Sequence, residues 1–311
     1  MSNEELSREE QLWQRAKEFD GVARAESYHE LSKIEYDRQN YKEALSMCMV
    51  AKDLYQADEI NSHCTEIIDL NEGMSYIYEY LDECEKAEEA LLEAVNLARD
   101  NESSMLGALL RSLGRLYFDH EKWDRSIECH TEAMELPEYA EVDRPSRGID
   151  LLNIGMAFHR SDRFAEALNF ESEALEIFED ENANAYWIVN TSGELSATYV
   201  GLNNGEKILE YGQRALDWFE MENNHQKVWV LRYYMAIGYR LLGDLEKAIW
   251  YLQSSRDLAL EHHKRFQEFG VDLDKELGEI YIMQGKVEKG QELIRRAKSV
   301  EETLENEKKS H

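Results

Sequence analysis

The chain has 311 residues, 43% of them hydrophobic, with 16 glycines and only 2 prolines; that composition favours helix and leaves too few turn-formers for a many-stranded fold. Lys and Arg total 35 against 65 Asp and Glu, a net charge of −30, and such a field repels bare nucleic acid, whose phosphates need basic partners. No apolar run approaches the ~18–20 residues of a membrane span, and Met1-Ser2-Asn3-Glu4-Glu5 lacks the basic and apolar regions of a secretory signal, so the expected location is the cytoplasm.

The first expected element is a leader helix. Ser7-Arg8-Glu9-Glu10 is a capping box, and Leu12, Trp13, Ala16 and Phe19 follow it on an apolar face. Residues 1–24 are assigned to this leader.

From residue 25 one template recurs seven times. Its first small site holds Ser32, Ser75, Gly114, Gly155, Ser196, Ala236 and Gly278, at spacings of 43, 39, 41, 41, 40 and 42. The second holds Ala44, Ala87, Ser126, Ala167, Ile208, Ala248 and Gly290, with Ile208 as its exception. The third holds Ala51, Ala94, Ala133, Ala174, Ala215, Ser255 and Ala297. Three residues beyond each first site stands an aromatic, at Tyr78, Tyr117, Phe158, Tyr199, Tyr239 and Tyr281; Glu35 alone departs. Two antiparallel helices approach closely only where facing side chains are small. The first and second sites are therefore expected to meet inside a helical pair, and the third to let the second helix pack on the next pair. The aromatic fills the gap between layers, burying about 150–250 Å². Leu242-Gly243-Asp244 and Gln284-Gly285-Lys286 supply turns where the template needs them.

Pro137 and Pro145 fall together between the third and fourth pairs, with Pro145 suited to the first turn of a helix. That connector reads as a longer loop inside one solenoid spanning residues 25–300. Residues 301–311 form a charged tail.

The pattern resembles the tetratricopeptide repeat family, in an extended variety whose period of 39–43 exceeds the usual one of about 34. Kinesin light chains, spindle-orientation adaptors and bacterial peptide-sensing regulators carry such repeats. The resemblance implies an all-α fold, a right-handed α-solenoid of seven helical pairs behind a leader helix. It also implies that the first helices line a concave groove that receives an extended peptide or a partner helix.

Catalytic motifs fail on spacing. Gly201 to Lys207 imitates a phosphate loop, yet Ile208 stands where Ser or Thr belongs and no strand precedes it; it reads as a turn between helices. His29-Glu30 and His262-His263 lack metalloprotease spacing and read as solvated helix positions. Cys48, Cys64, Cys84 and Cys129 are scattered and read as reduced, mostly buried thiols. No enzyme activity, cofactor or metal is expected.

Counting from the template places Arg111, Arg115, Asn153, His159, Arg160, Asn190, Tyr233, Tyr234, Ile237 and Arg240 on the groove. Arg111, Arg115 and Asn153 match positions at which chaperone-tail-binding members of the family clamp a carboxylate, whereas Asn190 and Glu194 replace the basic residues of that clamp. Arg111, Arg115, Asn153 and Arg160, clustered on the groove of so acidic a chain, point to an acidic segment of a partner across pairs three and four. The expected function is a non-catalytic adaptor or scaffold that holds a protein or peptide. The alternatives are a peptide-responsive sensor, against which stands the short stretch before the first repeat, and an acidic inhibitor of a basic, nucleic-acid-binding site. Direct nucleic-acid binding and membrane contact are not expected, and nothing supports a homo-oligomer.

Overall fold

The computed structural model describes residues 6–58, 63–181, 183–262 and 266–309. Among the described residues there are fifteen α-helices, one short 3₁₀ helix and no strand. The chain divides into two compact units between Val142 and Asp143, inside the proline-bearing connector that the sequence suggested was only a longer loop. The side chains of His262 and His263 lie outside the described residues, as do residues 1–5 and 310–311.

The first unit contains α1 (Arg8–Glu18), α2 (Val22–Asp37), α3 (Tyr41–Gln56), α4 (Cys64–Tyr80), α5 (Cys84–Asp100), α6 (Leu106–Asp119) and α7 (Trp123–Glu135), then a 3₁₀ helix over Pro137–Glu141. Helix α1 is the expected leader. Glu10 N donates to Ser7 Oγ at 3.2 Å and Ser7 N to Glu10 Oε2 at 2.8 Å, so the capping box satisfies two otherwise orphan amides. Ala16 is buried, Trp13 meets the edge of Tyr28, and Arg15 pairs with Glu26 on α2.

The second unit contains α8 (Arg144–Arg160), α9 (Phe164–Asp180), α10 (Ala185–Gly201), α11 (Gly205–Met221), α12 (His225–Leu241), α13 (Leu245–His262), α14 (Phe266–Met283) and α15 (Val287–Lys309). Asp143 caps α8 by accepting from Ser146 N at 3.0 Å, and Pro145 lies in the first turn, where no amide is missed.

All twenty-one template sites are buried. First and second sites meet as expected. A methyl group on Gly155 would stand 3.3 Å from Ala167 O, one on Gly278 would stand 2.8 Å from Gly290 O, and Ser196 Oγ donates to Ile208 O at 3.0 Å. Ile208 fits because the next pair yields: a methyl on Gly238 of α12 would lie 3.0 Å from Ile208 Cγ2. The third site also presses on its own pair, since Ser255 Oγ donates to Trp229 O of α12 at 2.7 Å.

Two regularities escaped the template. Each turn within a pair contains a left-handed residue four positions after the aromatic site: Gln39, Asp82, Glu121, Asp162, Asn203, Gly243 and Gly285, with φ between 53° and 83°. Each such residue ends the first helix with its amide bonded back into that helix's last turn. Over the aromatic itself sits a cation from the following turn or helix. Lys86 lies 5.6 Å from the Tyr78 ring centre, Arg163 4.2 Å from Phe158, Lys247 4.8 Å from Tyr239 and Lys289 3.9 Å from Tyr281. In the first pair Glu35 replaces the ring and receives Arg38 at 2.8 Å and Asn40 at 2.6 Å.

Candidate partner-binding site

In the first unit the first helices of successive pairs are α2, α4 and α6, and their facing side chains bind one another. Arg115 on α6 directs Nη2 to Glu79 Oε2 at 2.7 Å and Nη1 to Glu79 Oε1 at 3.1 Å on α4, and also reaches Asp119 at 3.0 Å. The Arg115 guanidinium, expected to await a partner's carboxylate, is therefore already engaged by acids of its own chain. Arg111 is half-buried nearby. Ser112 Oγ donates to Glu72 Oε1 at 3.0 Å and lies 3.1 Å from the Tyr76 hydroxyl.

His29 corrects a second expectation. It is 9% exposed, not solvated, and its Nε2 lies 3.0 Å from Asp69 Oδ2, the oxygen that also accepts from Lys33 at 3.0 Å. Hydrogen bonds from His29 and then Lys33 hold the Asp69 carboxyl down at about 2.

In the second unit α8, α10 and α12 play the same part. A pocket of about 310 Å³ opens between α10 and α12, lined by Asn190, Glu194, Lys227, Val230 and Tyr234, with Arg160 of α8 at its edge. Asn190 is 7% exposed, and its Oδ1 has no hydrogen-bond partner among the described residues; a buried amide left this way loses roughly 1–3 kcal/mol until a donor reaches it. Lys227 Nζ sits 3.3 Å from Glu194 Oε1. Arg160 is exposed and makes no ion pair among the described residues. Burial, with Glu194 in support, pushes the Tyr234 hydroxyl above its ordinary value and keeps it a neutral phenol. Its lining offers hydrogen bonding, apolar contact and, in Arg160, a cation with no ion pair among the described residues.

The remaining candidates separate. His159 is half-buried and its Nδ1 lies 3.0 Å from Thr198 Oγ1 of α10; burial first, then Arg160, hold it below its usual value. Asn153 is half-buried on α8. Tyr233 and Tyr234 rings stand 5.9 Å apart. Ile237 is 4% exposed, so it belongs to the helix packing and presents no groove surface. Arg240 Nε lies 2.8 Å from Glu276 Oε2 and is engaged much as Arg115 is.

Lys227 enters the site beyond the predicted set, and pairs with Glu194, a groove position of the fifth pair that departs from the carboxylate clamp. Their signal was present, because ion pairs between consecutive first helices recur at nearly fixed separations: Lys33–Asp69, Glu79–Arg115 and Arg240–Glu276 span 36 residues, and Glu194–Lys227 spans 33. Of the thiols, Cys48 and Cys129 are buried, and Cys129 is pushed up to about 12 by desolvation, which suits inert packing. No described helix is long and apolar enough to cross a membrane.

Residues 104–180 match the family model of the tetratricopeptide repeat. The apo form of RapI is similar in fold, with 15% sequence identity and a TM-score of 0.63 over 91% of this chain and 99% of that one. A signal-transduction ATPase with numerous domains and a tetratricopeptide repeat sensor, from Pyrococcus horikoshii, shares 16% identity and a TM-score of 0.67 over 96% of this chain and 45% of that one. A Rap protein complexed with Competence and Sporulation Factor shares 15% identity and a TM-score of 0.53, covering 96% of this chain and 80% of that one. At these identities the likeness is one of fold.

Proposed function

We propose that this tetratricopeptide repeat protein is a non-catalytic holder of a peptide or protein segment, received in the second unit on the faces of α8, α10 and α12. The observation that supports this most is Asn190. A nearly buried amide whose acceptor has no partner, at the wall of an open pocket, is completed by a donor that arrives from outside. An extended main chain supplies such donors at regular intervals, and Val230 and Tyr234 offer apolar contact to its side chains.

The acidic partner first expected for pairs three and four is better supported at Arg160 than at Arg115, because Glu79 and Asp119 already occupy the latter. A charged hydrogen bond to Arg160 contributes about 1.5–3 kcal/mol when well made. A peptide-responsive sensor is the second reading. It is favoured by the likeness to a Rap protein solved with Competence and Sporulation Factor, and it uses the same pocket.

The experiment is affinity capture from the native host, comparing the parent chain with Asn190→Ala, Tyr234→Ala and Arg160→Glu variants of unchanged helix content. A partner enriched by the parent and recovered at least roughly tenfold less by the variants, about 1.4 kcal/mol, supports the site. Equal recovery by all four proteins overturns it. Loss on raising salt, with no response to Asn190→Ala, points instead to an acidic surface that occupies a basic site.

A further inference from the structure

We propose that the first unit carries a separate receptor for a basic side chain, arginine before lysine, presented by a segment of a partner protein. The site is a pocket of about 530 Å³ between α2 and α4, apart from the Asn190 pocket and independent of it.

Its walls are apolar and aromatic. Leu70 and Ile77 form the floor, and Tyr36 and Tyr76 face it from the two helices. Tyr36 is steadied by Tyr80, whose ring stands 5.9 Å away and stacks on Tyr41 at 4.6 Å. The Tyr76 ring already lies 5.5 Å from one guanidinium, that of Arg115. Such walls suit the methylene stem of a long basic side chain, and the rings suit its head.

The charge of the lining is lopsided. Asp37, Asp69 and Glu72 stand against one lysine, Lys33. Asp69 is committed to His29 and Lys33. Glu72 accepts from the neutral hydroxyls of Ser112 at 3.0 Å and Tyr76 at 3.4 Å, so its charge stays uncompensated. Asp37 is exposed and makes no ion pair among the described residues. Two unpaired carboxylates beside aromatic walls select a cation, and a planar guanidinium meets both ring and carboxylate better than an ammonium does.

Gly73 gives the second, independent reason to expect an occupant. Gly114, Gly155, Gly201 and Gly278 are each pressed by a neighbouring helix, with a contact under 3.0 Å to any added methyl. Gly73 sits within α4, lines this pocket, and a methyl there would meet nothing within 4 Å. A helix-interior glycine weakens its helix relative to alanine, and no packing among the described residues explains it. What it leaves is a bare strip of backbone on which an incoming chain lies close.

The test is ¹⁹F NMR of the 3-fluorotyrosine-labelled chain, with Tyr36 and Tyr76 assigned by Tyr→Phe replacement. N-acetylargininamide is expected to shift both signals saturably, N-acetyllysinamide to do so more weakly, and N-acetylglutamic acid amide to leave them in place. Asp37→Asn with Glu72→Gln should weaken the arginine probe at least tenfold, and Gly73→Leu, which keeps the helix and fills the pocket, should abolish its effect. Asn190→Ala should respond like the parent, which separates this site from the one in the second unit. Signals that stay still with the arginine probe, or that move equally in the doubly neutralised or Gly73→Leu chain of unchanged circular dichroism, overturn the proposal.

Discussion

Arg115 and Glu79 lie on consecutive first helices of the first unit, joined fork to fork at 2.7 and 3.1 Å. Parallel bonds of this kind fix geometry as well as charge, so the pair staples α6 to α4. Arg115 is 43% exposed at its side chain, which moderates the energy. Replacing Arg115 by Ala should lower stability in urea unfolding by about 0.5–1 kcal/mol, and a double-mutant cycle with Glu79→Ala should recover most of that as coupling. Arg115→Glu should do worse, because it sets a third carboxylate beside Glu79 and Asp119. No coupling in the cycle would mean that the fork is solvated and contributes nothing to packing.

Gly155 lies at a close approach of α8 and α9 within the fourth pair. A methyl there would lie 2.7 Å from Glu171 Cγ and 3.2 Å from the Glu171 backbone nitrogen. Gly155→Leu should therefore cost about 1–3 kcal/mol or more through overpacking, read as a lower melting temperature. An unchanged transition would show that α8 and α9 separate freely at this position.

The architecture was legible in the sequence because its determinants repeat. Small residues at three fixed offsets and an aromatic at a fourth are imposed by the contact distance between helices, and the same contact recurs in every pair. The groove was harder. Arg111, Arg115, Arg160 and Arg240 look alike as letters, yet Arg115 and Arg240 are engaged by Glu79 and Glu276 on neighbouring first helices. Whether an arginine is available depends on what faces it a repeat away, a distance at which composition says nothing. Ile237 failed for a related reason: one step of helical rotation separates a groove position from a buried one, and Ile237 lies on the buried side.

Glu171 gives stability a dependence on pH of unusual sign. It is fully buried on α9, and desolvation by that burial outweighs the nearby Thr198 hydroxyl and pushes it up to about 8. The folded chain thus keeps a proton that the unfolded chain releases near the ordinary carboxylate value of 4.5. The contribution is fully present below that value, declines as pH rises, and is gone above about 8. Glu171→Gln, which has no proton to lose, should be more stable than the parent at pH 8 by at least about 1 kcal/mol, and the difference should shrink towards pH 5. Parallel profiles for the two proteins would place Glu171 in contact with water.

The left-handed turn residues offer a route to a more stable protein. Glu121 is exposed, has φ of 58°, and ends α6 where a side chain gains nothing from that conformation. Glu121→Gly should raise stability by up to about 1 kcal/mol, the relief of left-handed strain less the added freedom of the unfolded chain. Thermal unfolding checks this, and a destabilised variant would mean that the strain is absorbed by neighbouring turns.

Ile208 and Gly238 divide a volume between the fifth and sixth pairs. Ile208 projects from α11, and Gly238 on α12 is bare where it arrives, with Leu209 Cδ2 2.8 Å from any methyl that might be added there. The modules of this chain are for that reason not equally interchangeable. A duplication, deletion or exchange that carried the fifth pair without the sixth would set a bulky side chain against a neighbour never shaped to receive it. Recombination in this part of the chain has to move both pairs as one cassette, and a chimera joined after α13 preserves a fit that one joined after α11 destroys.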